Sequence, residues 1–255
     1  MKQHIKTIPC QNHFENTSRT SPFLVVKYTL DYNSDIDDRE LIDCLIEEAE
    51  AQARRVNPHA ANSTSNQRSD DTLIANNLAG VLSEYFWKVF LNRNSVIVCS
   101  TSFEDAANQI DLKIIGSDKK IEVRSSFPRN GLHFAICHPD YEFDILGPYH
   151  NQSYKPGEIK KHFYVRTLFC FSSVVDIIEK IKQDGFELYL TGGATWSMMN
   201  NRHYFIIKDL IPDDVYGQTQ KTNYRVVPFS RALDTFQIDA LITASAIASK
   251  ESESQ

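Results

Sequence analysis

No apolar run in this chain is long enough to cross a bilayer. Residues 1–7 carry two lysines and a histidine where a secretory signal would be apolar. These absences predict a cytoplasmic protein with no membrane contact. No Cys-x-x-Cys occurs, and the five cysteines (Cys10, Cys44, Cys99, Cys137 and Cys170) are odd in number and scattered. Neither a disulfide framework nor a zinc knuckle is indicated. His133 and Cys137 share a face if 132–137 is a strand, but no fourth ligand is evident. Gly192-Gly193 lacks the flanking spacing of a phosphate-binding loop and reads as a turn. No Gly-x-Ser-x-Gly elbow is present either. Net positive charge is missing too: the formal charge is −6, which argues against a generic nucleic-acid binder.

The distribution of charge qualifies that last point. Acidic residues crowd into 31–50 and 251–255, whereas basic residues recur through the rest of the chain. Residues 155–166 combine five of them with interleaved aromatics. That segment reads either as a phosphate-contacting stretch or as a solvated loop entering a strand.

With 255 residues, 42% of them hydrophobic, the chain can bury a sizeable core in one or two domains. Residues 1–56 predict a small appendage of a strand (23–32) and a helix (35–55). Residues 57–70 are polar without apolar period and read as a flexible linker. Residues 71–249 form the main body and 250–255 a disordered tail. Within the body the pattern predicts a helix over 71–92 and strands over 95–100, 109–115, 120–126, 132–137, 162–171 and 186–190. A loop over 140–157, a helix over 174–183, short strands near 204–207 and 224–227, and a helix over 234–249 complete the reading. The whole is α/β, a mixed central sheet flanked by helices.

The chemistry concentrates where residues 109–115 and 120–126 face each other across 116–119. Side chains alternate along a strand. If 116–119 is the loop, Ile115 lies opposite Lys120, Lys113 opposite Glu122, and Asp111 opposite Arg124. All four charged groups then line one face, and Ile110, Leu112, Ile114, Ile121 and Val123 line the other. Two carboxylates beside cations suit a divalent metal held against a phosphate; a hairpin with one solvated face reads equally well from these residues alone. The preceding helix places Glu84 at the edge of an apolar face of Ile74, Leu78, Val81, Leu82, Tyr85 and Val89. There it is either a rim residue in water or a group leaning into a site.

An acidic residue on a helix, then a strand, a strand with Asp, and a strand with Glu-x-Arg resembles the PD-(D/E)XK nuclease superfamily, the restriction-endonuclease-like fold. The residues carrying the resemblance are Glu84, Asp111 and Glu122-Val123-Arg124. Two differences stand out. Ile110 replaces a frequent Pro, and Arg124 replaces the family's Lys. Arginine stays protonated, so Arg124 suits phosphate binding better than proton transfer. Lys113, on the neighbouring strand, is the candidate for a migrated ammonium. The resemblance implies Mg²⁺, with Mn²⁺ as a substitute, held by Asp111, Glu122, the backbone carbonyl of Val123 and Glu84. It further implies hydrolysis of DNA phosphodiester bonds in a restriction or host-defence role. A homodimer is expected, since cutting both strands at once needs two sites. The rival expectation, kept open by Arg124, is a catalytically inactive subunit that binds nucleic acid or serves assembly.

Overall fold

As a computed structural model, the structure describes residues 1–8, 22–56, 68–101, 111–137, 144–150, 160–171, 173–210 and 222–253. A seven-stranded sheet runs in the order β1 (Lys2–Ile8), β2 (Phe23–Asp31), β8 (Asp184–Thr195), β7 (Phe163–Phe169), β5 (Lys120–Ser126), β4 (Leu112–Ile114) and β3 (Val98–Ser100). Neighbours are antiparallel except β5 and β7, which are parallel. The connection between those two carries α3 (Gly131–Cys137) and β6 (Asp144–His150). Parallel neighbours need such a crossover, because a tight turn cannot reverse the chain twice.

Helices α1 (Ile36–Ala53), α2 (Asp70–Leu91) and α6 (Thr235–Glu253) cover one face of the sheet. The other face is covered by α3, the short α5 (Trp196–Met199) and a three-stranded sheet of β6, β10 (Thr222–Pro228) and β9 (Ile206–Leu210). The sequence-based expectation of a mixed sheet flanked by helices therefore holds.

Helix α2 is the spine of the molecule. Ser69 caps it by accepting from the Thr72 N–H, and Asp70 and Asp71 then favour the positive end of the helix dipole. Its buried surface is broader than a single apolar stripe. Leu78, Leu82, Phe86, Trp87 and Phe90 are fully enclosed, whereas Ile74, Tyr85 and Val89 are only partly buried. Each enclosed aromatic contributes roughly 2–3 kcal/mol of burial. At the far end the Asn92 side chain accepts from the Ile97 and Val98 N–H groups and donates to the Val98 carbonyl. This clamp fixes the start of β3 against the end of the helix.

Several local expectations are corrected. Residues 1–56 are not set apart: β2 pairs with β8 in the sheet, and α1 buries Ile42, Leu45, Ile46 and Ala49 in the same core as α2. Ile36 lies outside that strip, 60% exposed. Of the proposed linker, 57–67 lie outside the described residues, while Ser69 and Asp70 belong to the start of α2. Residues 131–137 are helical, entered through Gly131 at φ 80°. Inside 140–157, where a loop was expected, 144–150 form β6. The helix over 174–183 is shorter, a 3₁₀ turn at Val174–Asp176 followed by α4 (Ile177–Ile181). Residues 250–253 of the expected tail continue α6. Cys137 is disulfide-bonded, and Cys44, Cys99 and Cys170 are free.

Gly192 and Gly193 do not end their strand. They lie inside β8, where its pairing with β7 shifts register between Val165 and Thr167. Gly192 has φ 79°, and a Cβ there would lie 2.1 Å from the Leu233 carbonyl oxygen. One on Gly193 would lie 2.3 Å from the Tyr164 carbonyl oxygen. Only glycine permits the bulge and the close approach of Leu233.

Candidate active site

The β4–β5 hairpin keeps the expected parity but not the expected register. Leu112 pairs with Ile121 and Lys113 with Lys120, a slip of two residues from the alignment drawn above. The turn occupies 115–118, with Gly116 at φ 71°. A two-residue slip leaves every side chain on its face. Leu112, Ile114 and Ile121 still point into the helical core, and Asp111, Glu122 and Arg124 still belong to one site.

Beyond Leu112 and Ile121 the ladder has no further described rung, and the Val123 N–H is taken by Asp111 Oδ2 at 2.7 Å. That bond draws the Asp111 carboxylate toward Glu122. The two carboxylates, with Val123, Arg124 and Glu84, line one cavity of about 340 Å³. Its walls also include Asn77 and Gly80 of α2, Gln52 of α1 and Leu146 of β6. Both covering layers and the sheet thus meet there.

A second cation, which no local sequence pattern marks, joins Arg124 in lining the cavity. Lys161, just before β7, is 2% exposed and places Nζ 2.8 Å from Glu122 Oε2. The Arg124 guanidinium closes on Glu122 Oε1. Parallel pairing of β5 with β7 brings Lys161 here. His162 N donates to the Lys120 carbonyl at 2.8 Å, and the Lys120 N–H donates to His162 Nδ1 at 3.1 Å. Burial of the His162 ring lowers its pKa, which favours the neutral ring able to accept that bond. Lys113, the candidate migrated lysine, is exposed beside Cys99 and does not line the cavity.

The two acidic groups outside this ion pair are both reluctant to ionise. Burial, followed by the charge of Glu122, holds Asp111 well above the usual carboxylate range, against the opposing pull of the Val123 N–H and Arg124. Burial pushes Glu84 up to about 7, although the Ser100 hydroxyl and Lys88 work against the shift. Lys88 also donates to Ser100 Oγ at 3.0 Å, which ties the helix to β3 beside this carboxyl. Shifts of this kind gather where charge is put to use.

Comparison with family models, with curated proteins and with solved structures finds no match to this chain. Among the described residues no helix is long and apolar enough to cross a membrane.

Proposed function

We propose that the chain is a Mg²⁺-dependent nuclease of the PD-(D/E)XK kind, hydrolysing DNA phosphodiester bonds in a restriction or host-defence role and working as a homodimer. The observation that carries this reading is convergence. Glu84 from α2, Asp111 and Glu122 from the hairpin, and Lys161 from the segment just before β7 all meet at one cavity. The order of helix, three antiparallel strands and site residues is the order on which the resemblance rests.

Among the described residues, no cluster of three or more His, Cys, Asp or Glu side chains is placed to hold an ion. Mg²⁺ needs only one or two carboxylates because it keeps most of its water shell. Asp111 and Glu122 supply that pair; burial first, and then the charge of Glu122, raise the Asp111 pKa, and a cation between the two carboxylates would offset both. Bound there, the ion would polarise a phosphoryl oxygen and acidify a water. Lys161 and Arg124 hold Glu122 in place. Lys161 lines the cavity and Lys113 does not, so on this reading Lys161 supplies the ammonium. Glu84, titrating near neutrality, accepts the proton of the attacking water.

A second reading has its own support. Both Glu122 oxygens are already engaged by cations, as suits a nuclease-like subunit that binds nucleic acid without cutting it. Supercoiled plasmid incubated with Mg²⁺, Mn²⁺ or EDTA separates the two. Cleavage that needs metal and is lost in both Asp111→Ala and Glu122→Ala supports the nuclease. Retention of DNA binding with no cleavage under any metal supports the second reading.

A further inference from the structure

Arg166 lies directly opposite Arg124 across the parallel β5–β7 pair, so the two guanidinium groups stand side by side on one face. Like charges opposed on a sheet repel. Arg124 is drawn off by Glu122. Arg166 makes no such ion pair among the described residues and feels Asp144 only at longer range. It is 3% exposed, its Nη2 donates to Ser126 Oγ, and its Nε and Nη1 have no hydrogen-bond partner among the described residues. The nearby carboxylate, Asp144 of β6, is held by Lys208 Nζ at 2.6 Å. Burial lowers the Arg166 pKa to about 10; the charge of Asp144 works against the fall, and that of Arg124 adds to it. The guanidinium nevertheless stays protonated at neutral pH. A buried, charged fork with open N–H groups costs stability unless an anion completes it.

We propose that Arg166, with Arg124 and Ser126, forms a phosphate subsite behind the carboxylates, which takes a phosphate of the nucleic-acid backbone. Arg124 lines the cavity and is the entrance to this subsite; Arg166 is its inner wall. The fork geometry of arginine suits bidentate contact with phosphate oxygens. The assignment rests on the nuclease reading for the identity of the ligand, but the anion site itself is independent of cleavage.

The test uses the full chain in EDTA, with inorganic phosphate as the probe and chloride at matched ionic strength as the control. Calorimetric titration and thermal melting are run on the native chain, Arg166→Met and Arg166→Lys. The native chain is expected to bind phosphate and melt higher with it. Arg166→Met is expected to weaken binding at least about tenfold, the loss of a charged hydrogen bond. It should melt no lower than the native chain without phosphate, since an apolar side chain of similar length replaces an incompletely paired charge. Arg166→Lys should fall between them. Absence of phosphate binding by the native chain, or equal affinity in Arg166→Met, overturns the proposal. So does an Arg166→Met chain that melts well below the native one, because Arg166 is then a structural residue. Phosphate binding of the expected pattern in a protein that never cuts DNA would leave the subsite standing and remove the nuclease reading alone.

Discussion

Replacing Glu84 by Gln isolates the cost of a carboxylate that resists ionisation. Its pKa rises from 4.5 to about 7 on folding. At 1.36 kcal/mol per pH unit this gap of about 2.5 units amounts to roughly 3 kcal/mol, and partial solvent access reduces it to about 2. The sign follows from proton counting. Between pH 4.5 and about 7 the folded chain keeps a proton that the unfolded chain has released. Stability therefore falls as pH rises through that window, and above it the full cost remains. A neutral Gln has nothing to release. Urea unfolding of the native chain and Glu84→Gln across about pH 5 to pH 8 should give curves that diverge with rising pH. They should nearly coincide at the acid end, with the variant about 2 kcal/mol more stable at the alkaline end. A difference that does not vary with pH would refute the reasoning, because burial would then not be setting the ionisation of Glu84. On the proposed function the same substitution abolishes cleavage, and the native rate rises with pH through about 7.

Asp111→Asn keeps an acceptor for the Val123 N–H and removes a carboxyl held unfavourably beside Glu122. Its melting temperature should match or exceed the native one while cleavage is lost, and a fall of more than about 5 °C would make Asp111 a structural residue. Lys161→Met strips one of two cations from a buried Glu122 and should cost about 2–4 kcal/mol in urea unfolding, with cleavage lost; an unchanged midpoint would show the pair contributes nothing. Gly192→Ala, at positive φ and against the Leu233 carbonyl, should destabilise by at least about 3 kcal/mol. Gly80→Ala, in α2 with nothing within 4 Å of a new Cβ, should stabilise by about 0.5–1 kcal/mol.

The residues differ in how much of their placement the sequence reveals. Alternation along 120–126 was enough to put Glu122 and Arg124 together, and it tolerated the wrong register because the slip was by two. The faces of α2 were partly legible: Leu78 and Leu82 follow the helical period, whereas non-local partners enclose Phe86 against Tyr28 of β2 and Phe90 against Phe236 of α6. Lys161 could not be found by any local pattern. It lies far from Glu122 in the chain, and only the non-local pairing of β5 with β7 joins them. Its one signal was membership of the basic stretch 155–166, where burial and solvation read alike. The run 132–137 reads as a strand because a short apolar segment does not reveal its period. Gly192-Gly193 reads as a turn because a mid-strand bulge and a turn use the same residue.

The Asn92 clamp makes α2 a phased shaft. Glu84 and Asn92 are eight residues apart on one rigid helix, about 12 Å along its axis. Because Asn92 is bolted to the first residues of β3, it sets both the depth and the bearing at which Glu84 meets the cavity. Loss or gain of a single residue between them would slide the carboxylate by about 1.5 Å and swing it by about 100°. That would carry it out of the site altogether, while the helix itself would lose little of its intrinsic stability. The spacing from carboxylate to clamp is therefore a dimension of the site, as firmly required as the identity of the acid.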